Sequence, residues 1–340
     1  MPNNFRPTRI SLMLGLVIVI LVVPTAAIVL FGWKSAGMLA FVAAMGGLFA
    51  MIGDRWRGLL WATLATGLGT GAAVLVSGNH VASAILMLCV GVTLGLANNW
   101  GLALWNFMFP VAVATVISNV PKVVDSPIQN ALINGAITVF CMLVAGLLVS
   151  LVVKKPMQAS PPKYRPLVTA MYTVNLAILF TASGFVASLW HDQLPGMWLT
   201  LTIVIIIRPH IGESLMRALQ RGGGTVLGFL IAIGVAYSLT PTPIYFAIGL
   251  IFLEIAVLIR FHPDRPYWEY IMFLTPAVVL LAGSPSEVTD FASYRLGATI
   301  AAVVACLLLL GIERLVFWRG ALTKDSGLKT SASTVGRLSS

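Results

Sequence analysis

Charged side chains are scarce in this 340-residue sequence, where Asp, Glu, Lys and Arg make up only 9% and hydrophobic residues make up 59%. A soluble globular protein of this length needs more polar surface than that, so the composition excludes a soluble domain and indicates a bundle of membrane helices. Acidic residues are the scarcest, with 11 Asp and Glu against 21 Lys and Arg. The basic residues lie between apolar segments, which favours contact with anionic lipid headgroups over binding to nucleic acid.

Cysteine is rare, and the common catalytic motifs are missing. Cys89, Cys141 and Cys306 each lie alone inside an apolar segment, which is typical of small buried side chains rather than of a disulfide or a metal site. The sequence contains no G-x-x-x-x-G-K-S/T, no H-E-x-x-H and no C-x-x-C, so neither ATP-driven pumping nor metalloprotease chemistry is indicated. We therefore expect a protein that is not an enzyme and that uses no metal or other cofactor.

Twelve apolar segments divide the chain, and they predict an all-α membrane protein with about twelve transmembrane segments. The segments are residues 10–30, 37–52, 58–77, 81–96, 101–117, 131–153, 166–189, 195–207, 222–239, 243–259, 268–281 and 294–317. Several are shorter than the roughly 17–25 residues of a full crossing, which indicates that some helices are short or broken. Glycines four residues apart, at 91 and 95 and at 224 and 228, predict close packing between helices.

The two halves of the chain are predicted to be repeats of each other. Gly37-Met38 and Ile52-Gly53-Asp54 in the first half recur as Gly196-Met197 and Ile211-Gly212-Glu213, 159 positions later. We therefore expect a first six-helix repeat at residues 1–157, a second at 158–319 and a disordered cytoplasmic tail at 320–340. Because six crossings is an even number, the repeats should be parallel and related by an axis along the membrane normal.

The basic residues also predict the orientation of the chain in the membrane. If the N-terminus is cytoplasmic and every segment crosses, 18 of the 21 Lys and Arg residues face the cytoplasm, and only Lys34, Lys122 and Arg295 lie outside. This asymmetry follows the positive-inside rule. We expect a multi-pass protein of the cell (plasma) membrane with both termini in the cytoplasm.

The stretch from residue 195 to residue 228 combines an interrupted apolar segment with a cluster of arginines. Arg208, Arg217 and Arg221 are predicted to lie at one mouth of a hairpin, where arginine can bind a carboxylate through two parallel hydrogen bonds. Arg221 precedes three consecutive glycines, and we expect their backbone N–H groups at the start of a helix to form an anion cradle. Anchoring of the cytoplasmic face to lipid is an equally good interpretation of Arg221.

Glu254 is the one carboxylate well inside an apolar segment. A charge in such a position costs about 2.5–3.5 kcal/mol on insertion scales, so it should be protonated, paired or facing water. The side chain is either the proton-coupling site of an antiporter or the partner of a cytoplasmic arginine such as Arg217 or Arg260. Glu313 and Arg314, near the end of the last segment, indicate an interfacial pair instead.

A family resemblance rests on residues of the second half, namely Trp198-Leu199-Thr200, Arg208-Pro209, Arg217, Arg221, Gly224-Thr225 and Gly228. Their order and spacing resemble the pattern of the fusaric acid resistance and aromatic acid exporter family, whose membrane domain is related to the plant malate channels. Tyr294-Arg295-Leu296-Gly297 and the duplicated six-helix layout agree with that pattern. Members often carry a large cytoplasmic domain after each membrane half, where this sequence has only the linker 154–165 and a short tail.

The resemblance implies export of small organic anions, especially aromatic carboxylates. It also implies a substrate-binding site, made of Arg221, Arg217, Arg208, Trp198, Thr200, Gly224 and Thr225. The leading hypothesis is a proton-coupled exporter of such anions, surrounded by membrane lipids. A passive organic-anion channel and a non-transporting membrane subunit of a larger assembly are the alternatives, and the chain could form a homo-oligomer or bind a partner subunit.

The predicted topology can be tested by cysteine-accessibility mapping in intact cells. A cysteine placed in the linker at residues 154–165 should react with a membrane-impermeant reagent only after the cells are opened, because the linker is expected on the cytoplasmic side. Labelling of that cysteine from outside would show that the topology is wrong.

Overall fold

The computed structural model describes residues 7–103, 105–153, 164–189, 195–238, 242–262, 265–282 and 288–317. These residues are mostly helical and include no β-strand, which confirms the predicted all-α class. The helices are α1 (Pro7–Leu30), α2 (Gly37–Val76), α3 (His80–Ala97), α4 (Met108–Ser118), α5 (Pro127–Val152), α6 (Pro166–Leu189), α7 (Pro195–Ile206), α8 (Ile211–Ser238), α9 (Thr242–Phe261), α10 (Tyr267–Ala282) and α11 (Val288–Phe317). Most of the predicted linker, at 154–163, and the predicted tail at 320–340 lie outside the described residues.

Local sequence explains where several helices begin. Proline is the first residue of α1, α5, α6 and α7, a position where its missing N–H breaks no helical hydrogen bond and its fixed φ suits the helix. Helix α3 begins differently, because the side-chain oxygen of Asn79 accepts a hydrogen bond of 3.0 Å from the backbone N–H of Ala82. An asparagine in this N-cap position stabilises a helix start by about 1 kcal/mol.

Two predicted apolar segments, 37–52 and 58–77, lie in the single long helix α2, which has a kink between them. At the kink Asp54 has φ −128° and ψ 24°, and Arg55 has φ 52° and ψ −137°. A positive φ is unfavourable for a residue with a side chain, so the surrounding packing has to hold this conformation. The ring of Trp105 lies directly against Gly53, where a side chain would not fit. Packing at this point therefore helps to fix the kink.

By length and composition, six helical stretches of the described chain suit a membrane crossing. They are Lys34–Val76, His80–Trp100, Pro127–Val152, Pro166–Leu189, Ile211–Ser238 and Thr289–Leu315. Shorter apolar helices occupy Val17–Leu30, Met108–Ser118, Gly196–Ile206 and Tyr267–Leu281. Twelve crossings therefore stays a prediction, which depends on whether the shorter helices and the two arms of α2 each traverse the bilayer.

Two short helices lie at the centre of the bundle. Every residue of α4 is buried, and α4 packs against α2, α6 and α7. Helix α7 in turn packs against α11 and α6. At about 1.5 Å per residue, helices of 11 and 12 residues are shorter than the roughly 30 Å hydrocarbon core. Such helices are tolerated at membrane depth when protein surrounds them, and the burial of α4 meets that condition.

Three predicted segments start at other residues in the structure. The twelfth was expected from residue 294, but α11 begins at Val288. The fifth segment was expected from residue 101, but its helix begins at Met108, because Gly101 adopts φ 73° and turns the chain. The ninth was expected from residue 222, but α8 begins at Ile211. The first turns of α8 are amphipathic and bury Ser214, Ala218 and Arg221 at helical spacing. Gly222, Gly223 and Gly224 therefore lie inside a helix.

Glycine allows neighbouring helices to approach closely, as predicted for the spaced pairs. A Cβ on Gly91 of α3 would lie 2.8 Å from the carbonyl oxygen of Leu176 on α6. A Cβ on Gly224 of α8 would lie 2.6 Å from the carbonyl oxygen of Trp268 on α10, and Gly228 faces Met272 in the same way. The structure thus confirms the packing interpretation of these glycines.

Substituting Gly91 should distinguish this packing role from mere helix flexibility. Gly91→Ala should destabilise the protein by about 1–3 kcal/mol, because the new methyl group meets backbone atoms of α6 that cannot move aside easily. Gly234→Ala is the matched control, since a Cβ on Gly234 of α8 would have nothing within 4 Å of it. The control should be neutral or stabilising by about 0.5–1 kcal/mol. Thermal unfolding in detergent would measure both, and equal effects would contradict the packing role.

Candidate anion-binding site

A cavity of about 660 Å³ opens between the start of α8, the end of α9 and the start of α10. Its walls carry Arg217 from α8, Arg260 from α9, Arg265 from the following connection, and Tyr267 and Tyr270 from α10. The predicted orientation places this cavity at the cytoplasmic side. Three arginines and two tyrosines give the cavity cationic and aromatic walls, which suit an organic anion.

Acidic groups neutralise this cavity only in part. Arg265 Nη1 lies 3.1 Å from Glu269 Oε2, one helical turn further along the chain. Glu213 also lines the cavity. The guanidinium of Arg217 instead lies over the ring of Tyr267, 5.6 Å from its centroid. A cation over an aromatic face keeps its charge, and its N–H edges remain able to donate to a ligand.

Arg208 occupies the break between α7 and α8. Its backbone N–H donates to Ser214 Oγ at 2.8 Å, and this hydroxyl also contacts the Arg208 carbonyl oxygen at 3.2 Å. These two contacts join the end of α7 to the first turn of α8. Burial, and then the neighbouring Arg217 charge, lower the pKa of Arg208. An anion beside these two guanidinium groups would offset both effects and favour the charged form.

Arg221 is a buried guanidinium in the interior of α8. The residue is 2% exposed, and its Nε has no hydrogen-bond partner among the described residues. The cradle predicted beside it is wrong, because the backbone N–H groups of Gly222 to Gly224 lie within α8 and are directed to helical carbonyls. Arg221 therefore offers its side chain alone to a ligand.

Arg295 is a second buried guanidinium. The count of charges put it on the outer side, near the start of the last predicted segment, and the structure shows it in the second turn of α11, where it is 2% exposed. Its guanidinium lies over the Trp198 ring, 4.4 Å from the centroid, and within electrostatic reach of Arg221. One sign of this position was present in the sequence, because Arg295 follows Tyr294 within the last predicted apolar segment.

The other predicted binding residues lie in two places. Trp198 on α7 is half-buried and stands against Arg295, as described. Thr225 is buried on α8 one turn from Arg221, and its hydroxyl has no partner among the described residues. Thr200, by contrast, donates to Ser183 Oγ at 3.2 Å and joins α7 to α6. Gly224 serves close packing on α10. The structure thus places Trp198 beside Arg295 and Thr225 one turn from Arg221, and it leaves Thr200 at a helix contact.

Two carboxylates lie away from the cavity. Glu254 is exposed on α9, on the same face as the exposed Ile251 and Leu258, and does not line the cavity. Glu313 on α11 is only 7% exposed, and its Oε2 accepts a 2.9 Å hydrogen bond from Asn175 Nδ2 on α6. The interfacial pair predicted for Glu313 is therefore wrong, since its hydrogen-bond partner is an amide on another helix.

Comparison with known proteins relates the second half of the chain to a family of membrane proteins. Residues 179–309 match the model of the family described as fusaric acid resistance protein-like, which confirms the resemblance seen in the sequence. Arg208, Arg221, Arg295 and Trp198 all lie in the matched region.

Two plant proteins are similar over part of their length. Aluminum-activated malate transporter 2 of Arabidopsis thaliana is 28% identical over 151 residues, which are 41% of this chain and 30% of that protein. Aluminum-activated malate transporter 1 of the same plant is 30% identical over 127 residues, which are 34% of this chain and 25% of that protein. The chain thus spans less than a third of the length of these relatives. No solved structure matches it.

Proposed function

We propose that this protein carries small organic anions across the membrane by way of the cationic cavity. The observation that carries this proposal is the arrangement of arginines, with Arg217 and Arg260 lining the cavity, Arg208 partly buried just before α8 and Arg221 buried within α8. Among the described residues, none of these four forms a salt bridge with a carboxylate.

An isolated cation inside a protein is costly unless a counter-charge or good hydrogen bonds stabilise it. Retaining Arg221 and Arg295, which are both buried, without paired carboxylates is therefore a disadvantage for folding alone. The disadvantage becomes useful when an anion binds, because the anion supplies the charge and the acceptors that the protein lacks. Organic anions also match the tyrosine rings on the cavity wall.

The comparisons support a membrane anion transporter or channel. The matching family is described by resistance to an organic acid, and the plant relatives are named for malate transport. Aromatic carboxylates are the substrates we propose within this class. A proton gradient drives flux through a coupled exporter but not through a passive channel, so flux with and without a pH gradient separates them.

We further propose that the chain forms twelve membrane segments in two parallel repeats in the plasma membrane, with both termini cytoplasmic. The helix bounds support this arrangement. Helices α1 and α6 both have 24 residues and begin 159 positions apart, at Pro7 and Pro166. Helices α4 and α10 begin at Met108 and Tyr267, which are also 159 positions apart. This equals the offset of the sequence repeat.

Arg221→Gln should weaken organic-anion transport much more than Arg57→Gln does. Arg221 is buried beside the cavity region, whereas Arg57 is exposed on α2. A hydrogen bond to a charged group is worth about 1.5–3 kcal/mol, so loss of the guanidinium should reduce flux roughly tenfold or more. Uptake of radiolabelled benzoate into proteoliposomes measures the effect. Equal loss in both variants would indicate a shared lipid-anchoring role, and no loss in either would contradict the anion site.

Proton coupling is proposed for Glu254, and Glu254→Gln tests it. An isosteric neutral side chain mimics the protonated state, so the variant should fold and exchange anions down a gradient but lose the dependence of export on the pH gradient. Asp290→Asn, at an exposed carboxylate near the start of α11, is the matched control. Flux and counterflow should be measured together with thermal stability. Unchanged proton-driven flux in well-folded Glu254→Gln protein would exclude the coupling role.

A further inference from the structure

We propose that the first half of the chain binds a small monovalent cation, such as Na⁺, between helices α2 and α5. The ligands are the side-chain oxygens of Thr66 and Thr70 on α2 and of Asn134 and Thr138 on α5, which we call the oxygen cluster. The arginine-lined cavity lies in the second half, and the oxygen cluster needs no anion. The inference therefore goes beyond the proposed function.

The oxygen cluster lies between two closely packed helices. A Cβ on Gly71 of α2 would lie 3.2 Å from the carbonyl oxygen of Ala131 on α5, and a Cβ on Gly135 of α5 would lie 3.0 Å from the carbonyl oxygen of Gly67 on α2. Residues 58–76 of α2 and all of α5 contain no charged side chain. These two helix segments therefore place no cation of the protein where an ion would bind.

The side chains of the oxygen cluster are shut off from solvent, and two of their oxygens lack a partner. Thr70, Asn134 and Thr138 are completely buried, and Thr66 is nearly so. Neither Asn134 Oδ1 nor Thr66 Oγ1 has a hydrogen-bond partner among the described residues. A buried polar atom without a partner is unfavourable. A bound species that contacts these oxygens would remove that cost.

The contacts of the Asn134 nitrogen fix the orientation of its amide. Nδ2 lies 3.1 Å from the carbonyl oxygen of Pro121, 2.9 Å from that of Asn130 and 3.2 Å from Asn130 Oδ1. Only an N–H group can donate to these three acceptors, so the other atom of the amide must be the oxygen. Asn134 Oδ1 is therefore a buried acceptor to which no described residue donates.

The two facing hydroxyls of the oxygen cluster also have lone pairs to offer. Thr70 Oγ1 and Thr138 Oγ1 lie 3.1 Å apart. Each also lies 2.9 Å from a carbonyl oxygen of its own helix, that of Thr66 for Thr70 and that of Asn134 for Thr138. A hydroxyl has a single hydrogen. When both hydrogens are donated within the helices, the two oxygens face each other with lone pairs alone, an arrangement that a cation stabilises.

A small monovalent cation fits these oxygens better than water or a divalent ion. A water molecule donates only two hydrogen bonds, whereas a hard cation takes several oxygen ligands at once. A divalent ion usually needs carboxylate ligands as well, and the described residues contain no group of three His, Cys, Asp or Glu side chains that could hold one. Neutral ligands of this kind form no recognisable motif, which is why no metal was expected from the sequence.

A second, smaller cavity provides a route to the oxygen cluster. Its volume is about 190 Å³, and its walls include Lys122, Asp125 and Asn130. The predicted orientation places this cavity on the outer side of the membrane. Asn130 joins it to the cluster, because Asn130 Oδ1 accepts the hydrogen bond from Asn134 Nδ2. The exposed carboxylate of Asp125 offers an entering cation its first contact.

The test follows thermal unfolding of the purified full-length protein in detergent while NaCl replaces choline chloride at constant ionic strength. Na⁺ should raise the Tm by about 3 °C or more and the effect should saturate, because an ion that binds only the folded protein stabilises it. Thr138→Val keeps the shape of the side chain but removes one ligand oxygen. The Na⁺ concentration that gives half of the Tm shift should therefore rise about tenfold or more.

Two further variants separate ion binding from helix packing. Thr138→Ser keeps the hydroxyl and should keep the response to Na⁺. Thr115→Val on α4 is the matched control, since Thr115 is also buried and its hydroxyl donates to the carbonyl oxygen of Val111 on its own helix at 2.8 Å. This control should respond to Na⁺ as the unchanged protein does.

Equal Tm values in NaCl and choline chloride would overturn the cation site and indicate that water fills the oxygen cluster. The site is also wrong if folded Thr138→Val protein needs no more Na⁺ than the unchanged protein for half of the Tm shift. If Thr138→Val does not fold, Thr70→Val takes its place, and an unaltered half-maximal Na⁺ concentration in that variant rejects the site. None of these readouts uses anion flux, so the cation site and the proposed function stand or fail separately.

Discussion

A guanidinium inside a membrane protein has to be stabilised by something, because moving a charge out of water is costly and arginine does not easily lose its proton. In the second half of this chain, Arg221 and Arg295 are each 2% exposed, and they repel each other. The described residues supply an aromatic ring to one of them and a carboxylate to neither. The chemistry of the region follows from this missing counter-charge, which a transported anion can supply.

The helices around these arginines explain how such a site can exist at membrane depth. Helix α7 is short and packs against α11 and α6. At the break after α7, the backbone N–H of Arg208 donates a hydrogen bond to Ser214 in the first turn of α8. Glycines at 224 and 228 allow α10 to approach α8 closely, and α10 contributes the tyrosines of the cavity. Lipid provides little hydrophobic drive for helix association, so close packing of backbones holds the helices together. This packing thus sets the spacing of the cationic side chains.

Much of this fold could be predicted from sequence because apolar length is a strong signal in membrane proteins. The helical class and the packing role of Gly91 and Gly224 followed from that signal and from glycine spacing. The start of α8 did not follow from the sequence, because the polar face of its first turns resembles a connection between helices. On the opposite face, Ser214, Ala218 and Arg221 are buried. The burial of Arg295 did not follow from the sequence for a related reason. Counting basic residues by side assumes that each faces water, and a cation covered by Trp198 breaks that assumption.

The central claim is that a substrate carboxylate supplies the counter-charge for the buried arginines. The most direct measurement is an experimental structure of the protein with 4-iodobenzoate, in which the iodine is located by anomalous scattering. The account predicts an iodine position in the region between the cavity and Trp198, with the carboxylate within hydrogen-bond distance of Arg221 or Arg295. A ligand-free region in which an acidic side chain of the protein pairs with both arginines would contradict it.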